Sequence, residues 1–245
     1  MLISETGAFE FAVDAGSFMP AMVGKRVLVT GVTSQNGVDI ARSYVEAGAR
    51  VILQCDETSP AMQAMAELLA PQAAELSVHA VSLRTSGEIV AFARAAAAEF
   101  GGLDMVVNIV DLDAGMPPSG ADFTAVEAAV SDVLLKSCLV ARVAANRMRL
   151  TMTDGVVLTV ATFSDNANAS QLAFAQVARS TLVSMTRREA EAWADQGIRF
   201  YAVAPDVSGL GERRMAATET DVAQLALFLA AGKGASLSGV TLEMN

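Results

Sequence analysis

The chain has 245 residues, 53% of them hydrophobic, and its 27 Asp and Glu outweigh 17 Lys and Arg to give a formal net charge of -10. This length and apolar content suit a single domain with a large core, and the acidic balance sets nucleic acid and anionic membranes aside as expected partners. Charge interrupts the apolar runs before they reach bilayer length, and the N-terminus lacks a basic region followed by an apolar stretch and a cleavage site, so a cytoplasmic protein is expected.

Residues 1–22, with Phe9, Phe11, Phe18 and Met19 amid Gly and Asp, read as an N-terminal extension packing on a surface, and residues 23–245 as the domain. Arg26 to Thr30 reads as the first strand and Asn36 to Ala47 as its helix. Later strands are expected at Arg50 to Gln54, Ser77 to Val81, Asp104 to Asn108, Gly155 to Ala161, Ile198 to Val203 and Val240 to Glu243. Helical period fills Ala61 to Leu69, Gly87 to Glu99, Phe123 to Arg149, Ser170 to Ala194 and Thr220 to Ala230. Strand-length apolar runs alternating with helices predict an α/β fold, a doubly wound parallel sheet covered on both faces. Periodicity leaves the strand order open. Cys55 and Cys138 are too few for a disulfide framework, and His79 is the only histidine, so no metal site is expected and the cysteines read as small core residues.

The run Gly24-Lys25-Arg26-Val27-Leu28-Val29-Thr30-Gly31, followed by Gly37, resembles the opening of the short-chain dehydrogenase/reductase family. Further matches follow in family order: Gly48-Ala49-Arg50-Val51-Ile52, Phe100-Gly101-Gly102-Leu103-Asp104, Gly197-Ile198-Arg199 leading to Val203-Ala204-Pro205, Asp221-Val222-Ala223 leading to Phe228-Leu229, and Ser238-Gly239-Val240-Thr241-Leu242. The resemblance implies a Rossmann-like single domain over nearly everything after residue 22. It does not by itself imply an activity, because function resides in the site.

In that family a Tyr-x-x-x-Lys pair moves the proton of the substrate oxygen, a Ser on the preceding strand fixes that oxygen, and a helix Asn completes a water-linked relay. The family's spacing places the Tyr and Lys positions at Ala175 and Arg179, the Ser at Thr162 and the Asn at Leu134. Only Thr162 keeps a hydroxyl. The two tyrosines, Tyr44 and Tyr201, are followed four residues later by Gly48 and Pro205, so no Tyr-x-x-x-Lys pair exists anywhere in the chain.

The resemblance also implies an altered cofactor site. Gln35 replaces the middle glycine of the turn that approaches the pyrophosphate. Cys55 stands at the ribose-binding carboxylate, with Asp56 beside it as a possible substitute, and Ser82 replaces the Asp bordering the adenine. The family's Asn-Asn-Ala-Gly becomes Asn108-Ile109-Val110-Asp111 and its Pro-Gly becomes Pro205-Asp206, which adds negative charge where an anionic dinucleotide lies. Between Pro205 and Asp221 the chain is shorter than typical members by roughly a dozen residues, most of the loop that closes over substrate. These changes predict no catalytic, cofactor-binding or metal-binding residues in this chain.

Ordinary structural roles are expected for the remaining polar residues. Gly31 and Gly37 serve a tight turn, Asn108 ties strands together, Arg179 pairs with a carboxylate, and His79 is structural because no acid accompanies it at a recognisable spacing. The run Arg187-Arg188-Glu189 to Glu191 reads as a solvated helix face. The family's subunits associate through the two long helices, here residues 123–149 and 170–194, which carry Leu134, Leu135, Leu139, Val140, Val143, Leu182, Val183 and Met185. Retained association with lost chemistry implies a non-catalytic subunit paired with an active NAD-dependent subunit in a hetero-oligomer, a heterotetramer by the family's habit. A hydroxyacyl-CoA is the expected substrate of the complex. Two rivals stay open: an atypical dehydrogenase using Thr162 and Arg179 with NAD, and a homo-oligomeric sensor that binds a nucleotide or metabolite without turnover.

Overall fold

The computed structural model describes residues 22–33, 36–113, 115–117, 120–163, 168–204, 218–232 and 234–243. Among them, β1 (Arg26–Thr30), β2 (Arg50–Cys55), β3 (Glu75–Ala80), β4 (Met105–Asp111), β5 (Val156–Thr162), β6 (Arg199–Ala204) and β7 (Thr241–Glu243) form one parallel sheet in the order β3-β2-β1-β4-β5-β6-β7. The helices are α1 (Val38–Glu46), α2 (Pro60–Leu69), α3 (Ser86–Glu99), α4 (Phe123–Leu150), α5 (Ala169–Trp193) and α6 (Glu219–Ala230). The chain runs outward from β1 to β3, returns to β4, and runs outward again to β7. That reversal opens a crevice between the C-terminal ends of β1 and β4, the usual ligand position in such sheets.

Local chemistry sets the helix starts. Ser59 accepts from Met62 N with Pro60 at the first helical position of α2, and Thr85 with Glu88, Asn168 with Gln171 and Thr218 with Asp221 form reciprocal capping boxes on α3, α5 and α6. Two apolar layers close the sheet. Ile40, Tyr44, Met65 and Leu227 cover Val27, Val29 and Val51 on one face, and Phe92, Ala96, Val140 and Met148 cover Leu28, Val106 and Val157 on the other. At about 1.5–3 kcal/mol for each large side chain removed from water, these layers are the main stabilising term. Met22, the last residue assigned to the extension, packs in the first layer. At the entry to β1 and β4, Asp104 Oδ2 accepts from Arg26 N at 2.9 Å and Arg26 Nε at 2.7 Å.

Three expectations change. β4 continues past Asn108 to Asp111, because Ile109 and Val110 are buried and pair with Val160 and Ala161 of β5. Leu134, Val140 and Leu182 do not line an association surface: they face inward, at 3%, 0% and 4% exposure, on the helix stripe that covers the sheet. Cys138 is half-buried, whereas Cys55 is a core residue. No helix among the described residues is long and apolar enough to cross a membrane.

Candidate functional site

The four positions matched to the family's proton-transfer set do not form a polar site. Leu134 of α4 and Ala175 of α5 pack in one apolar cluster with Val110, Ala161, Phe174 and Ala178, and Met116 and Phe163 border it. Thr162 ends β5 and donates its hydroxyl, at a long 3.5 Å, to the Val110 carbonyl. Arg179 turns away to form an ion pair with Glu243 of β7, and its Nε has no hydrogen-bond partner among the described residues. The two tyrosines are fully buried elsewhere: Tyr44 donates to Met105 Sδ at 2.8 Å and Tyr201 to the Gly234 carbonyl at 2.8 Å. Burial pushes both phenols above their usual value. Of the lysines, Lys25 pairs with Asp104 and Lys136 with Asp56; Lys233 lies outside the described residues.

At the β1–β4 crevice the chain's own side chains meet the backbone donors and acceptors. Gln54, at 0% exposure in the apolar strand β2, is the central group. Its Oε1 accepts from Gly31 N at 2.9 Å, and its Nε2 donates to the Val81 carbonyl at 2.8 Å and to Asp56 Oδ1 at 3.0 Å. One amide thereby joins the glycine turn to the ends of β2 and β3. Lys136 reaches from α4 to the same Asp56 oxygen at 3.0 Å, so the carboxylate next to Cys55 is committed twice within the protein. Burial first, and Asp56 second, push the Cys55 thiol up, which keeps it protonated.

The turn itself is packed by β4. Gly31 (φ 76°) needs its glycine, since a Cβ there would stand 2.3 Å from the Ile109 carbonyl oxygen. At Gly37 (φ 92°) the clash would be with Ile109 Cδ1 at the same distance. Asn108 is fully buried; it accepts from Thr30 Oγ1 at 2.9 Å and donates to the Ser137 carbonyl at 3.4 Å, so it ties β1, β4 and α4 together. Asp111, exposed at the end of β4, accepts from Asp113 N, and Ser82 accepts from Arg84 Nε. Gln35, Pro205, Asp206 and the rest of residues 205–217 lie outside the described residues.

A family model described as short chain dehydrogenase matches residues 25–220. The chain belongs to the short chain dehydrogenase family. It is 25% identical to the rat (Rattus norvegicus) peroxisomal 2,4-dienoyl-CoA reductase over 93% of this chain and 85% of that protein. It is also 25% identical to D-threitol dehydrogenase of Mycolicibacterium smegmatis, over 98% and 97%. A short chain dehydrogenase from Burkholderia cenocepacia, solved in complex with NADP, superposes with a TM-score of 0.74 at 18% identity, covering 92% of this chain and 98% of that one. The curated relatives it matches are dehydrogenases and reductases.

Two polar groups differ from expectation. An acid does accompany His79: Glu99 Oε2 lies 2.8 Å from Nε2, brought from α3 by the fold rather than by sequence spacing. Ser77 Oγ contacts the same nitrogen at 3.2 Å, so one ring nitrogen meets both groups and, among the described residues, no relay runs through the imidazole. Glu189 is not on a solvated face. Its Oε1 accepts from Arg142 Nε at 2.8 Å and Nη2 at 2.6 Å, and its Oε2 accepts from the Trp193 indole at 3.0 Å. Beside it, a groove of ≈ 490 Å³ lined by Arg142, Arg149, Arg188 and Gln196 lies toward the C-terminal ends of α4 and α5. The strand ends are at the other extreme of those helices. Sequence reading missed Gln54, although a lone amide inside the apolar run Arg50–Cys55 is the kind of anomaly that marks a built hydrogen-bond site.

Proposed function

We propose that this chain is the non-catalytic subunit of a heteromeric short chain dehydrogenase, supporting an active NAD-dependent subunit that oxidises a hydroxyacyl-CoA. The observation that carries the reading is the apolar cluster holding Leu134 and Ala175 where the family's proton donor and relay would stand. A proton-transfer site needs groups that gain or lose protons within hydrogen-bond reach of the substrate, and the side chains gathered there do neither. For the dinucleotide, the Gly31 amide and the Asp56 carboxylate are already engaged by Gln54 and Lys136, which supports assigning NAD to the partner subunit.

Association would use the outer faces of α4 and α5, within residues 123–149 and 170–194. There Leu135, Leu139 and Val143 are half-buried and Val177 is 47% exposed, apolar surface of the kind that partners cover. Pairing with the equivalent helices of the active subunit makes a four-helix seam and, by the family's habit, a heterotetramer in the cytoplasm. The chain is similar in kind to the degenerate subunit of the dehydrogenase that acts on 2-(hydroxy(phenyl)methyl)succinyl-CoA in anaerobic toluene degradation, a complex of an active and a degenerate subunit. The acyl-CoA substrate class also accords with the name of the rat reductase.

The test is purification of the chain alone and with the protein that co-elutes from its source. No NAD-dependent turnover by the isolated chain, and turnover by the heteromer, is the expected result. Steady turnover by the pure chain that Thr162→Ala abolishes would identify an atypical dehydrogenase instead.

A further inference from the structure

Helix α1 cannot complete its own start. Its N-cap is Gly37, which supplies no side-chain acceptor, and the first amides of any helix lack intrahelical partners. One of them is satisfied by a residue 180 positions away: Glu219, the first residue of α6, accepts from Asp39 N through Oε1 at 2.9 Å. The amides of Gly37 and Ile40 lie close to the same carboxyl and favour its charged form. Thr220, next in α6, donates to Asp39 Oδ2 at 2.9 Å, and Arg42 donates to Asp39 Oδ1 at 2.9 Å. The end of α1 therefore already holds two carboxylates, Glu219 and Asp39, against one guanidinium. Burial, opposed by those amides, pushes the Glu219 carboxyl above its usual value.

In a doubly wound sheet, the N-terminus of the helix after the first strand is the position that takes an anionic pyrophosphate, through the helix dipole and its free amides. We propose that the Glu219 carboxylate is a built-in occupant of this anion position, holding α6 onto α1 and standing where a dinucleotide's phosphates would stand. This rests on the reading that the chain holds no dinucleotide, and it supplies a cause inside the described fold. Gln54 does the corresponding work at Gly31: a crevice for a ligand has become a cross-link between elements.

Hydrogen exchange on the full chain tests this, comparing wild type, Glu219→Ala and Glu219→Gln with and without inorganic pyrophosphate. Glu219→Ala is expected to lose roughly ten-fold in protection at Asp39, in line with removal of a helix cap. Pyrophosphate should restore that protection in the variant and leave wild type unchanged. Glu219→Gln keeps a neutral acceptor, and hence the helix start, and should show the same response in weaker form. Unchanged protection in the alanine variant, or lost protection that pyrophosphate restores in neither variant, overturns the inference alone. Protection of wild type by pyrophosphate overturns it as well; binding of NAD to wild type overturns both it and the functional reading on which it rests.

Discussion

Replacing Gln54 by leucine tests whether the crevice is held together by the chain's own groups. The two side chains are close in volume, so the change removes hydrogen bonds and leaves little cavity. It strips the Gly31 N–H and the Val81 carbonyl of their side-chain partner and frees Asp56 from one of its two contacts. A buried backbone group left unsatisfied costs about 1–3 kcal/mol. Gly31 is partly buried and Val81 is exposed enough for water to replace the lost donor in part, so the sum is about 2–3 kcal/mol rather than the full double penalty. For a chain of this size that corresponds to a fall in Tm of roughly 5–10 °C. Urea unfolding followed by circular dichroism measures it, with an unchanged m-value as the sign that only stability moved. Gln54→Glu should be worse, since it replaces the donor facing Asp56 and Val81 O with a second carboxylate oxygen. A leucine variant within about 0.5 kcal/mol of wild type, the range of an ordinary surface substitution, would refute the reasoning.

Restoring the family's pair with Ala175→Tyr and Arg179→Lys should create no activity and should lower stability by more than about 1–3 kcal/mol, because Ala175 is fully buried and the new ring overfills its cluster; thermal unfolding beside an NAD-reduction assay checks both halves. Burial alone would raise the Asp104 carboxyl, but the hydrogen bonds from the Arg26 side chain and backbone outweigh it and hold it below its usual value. Its contribution is therefore complete above the unfolded carboxyl range, about pH 4, and is lost as pH falls through the folded value. Asp104→Asn should be less stable than wild type at neutral pH, the gap closing in acid, as denaturation at a series of pH values would show. Charging the outer faces of α4 and α5 with Leu139→Glu or Val177→Glu should abolish co-purification with the partner; Val177 is 47% exposed, so its variant should keep the wild-type circular dichroism spectrum. A heteromer indifferent to both would place the interface elsewhere.

The architecture was legible in the sequence because strands buried on both faces are written as near-continuous apolar runs, as in Arg26–Thr30 and Arg50–Cys55, and helix starts carry their caps in plain view. The strand order was not, since periodicity reports which face is buried and not which neighbour buries it. The expectation that Ala175, Arg179 and Leu134 stand at the family's proton-transfer positions came from spacing alone. The long-range polar contacts were hidden. Gly31 lies 23 residues from Gln54, Asp56 80 from Lys136 and Asp39 180 from Glu219, and only the fold brings these pairs together. His79 shows the same limit, because its acid arrives from a different element 20 residues on. Helix-face assignment failed for Leu134, Val140 and Leu182 because α4 and α5 carry apolar residues around much of their circumference, and one stripe had to be given to the core.

Native mass spectrometry of the tagged protein purified from its source, titrated with NAD, tests the central claim most directly. The account predicts a hetero-oligomer containing a second short chain dehydrogenase subunit, with bound NAD equal in number to the partner subunits and none assigned to this chain. A homo-oligomer, or one NAD for every copy of this chain, would contradict it.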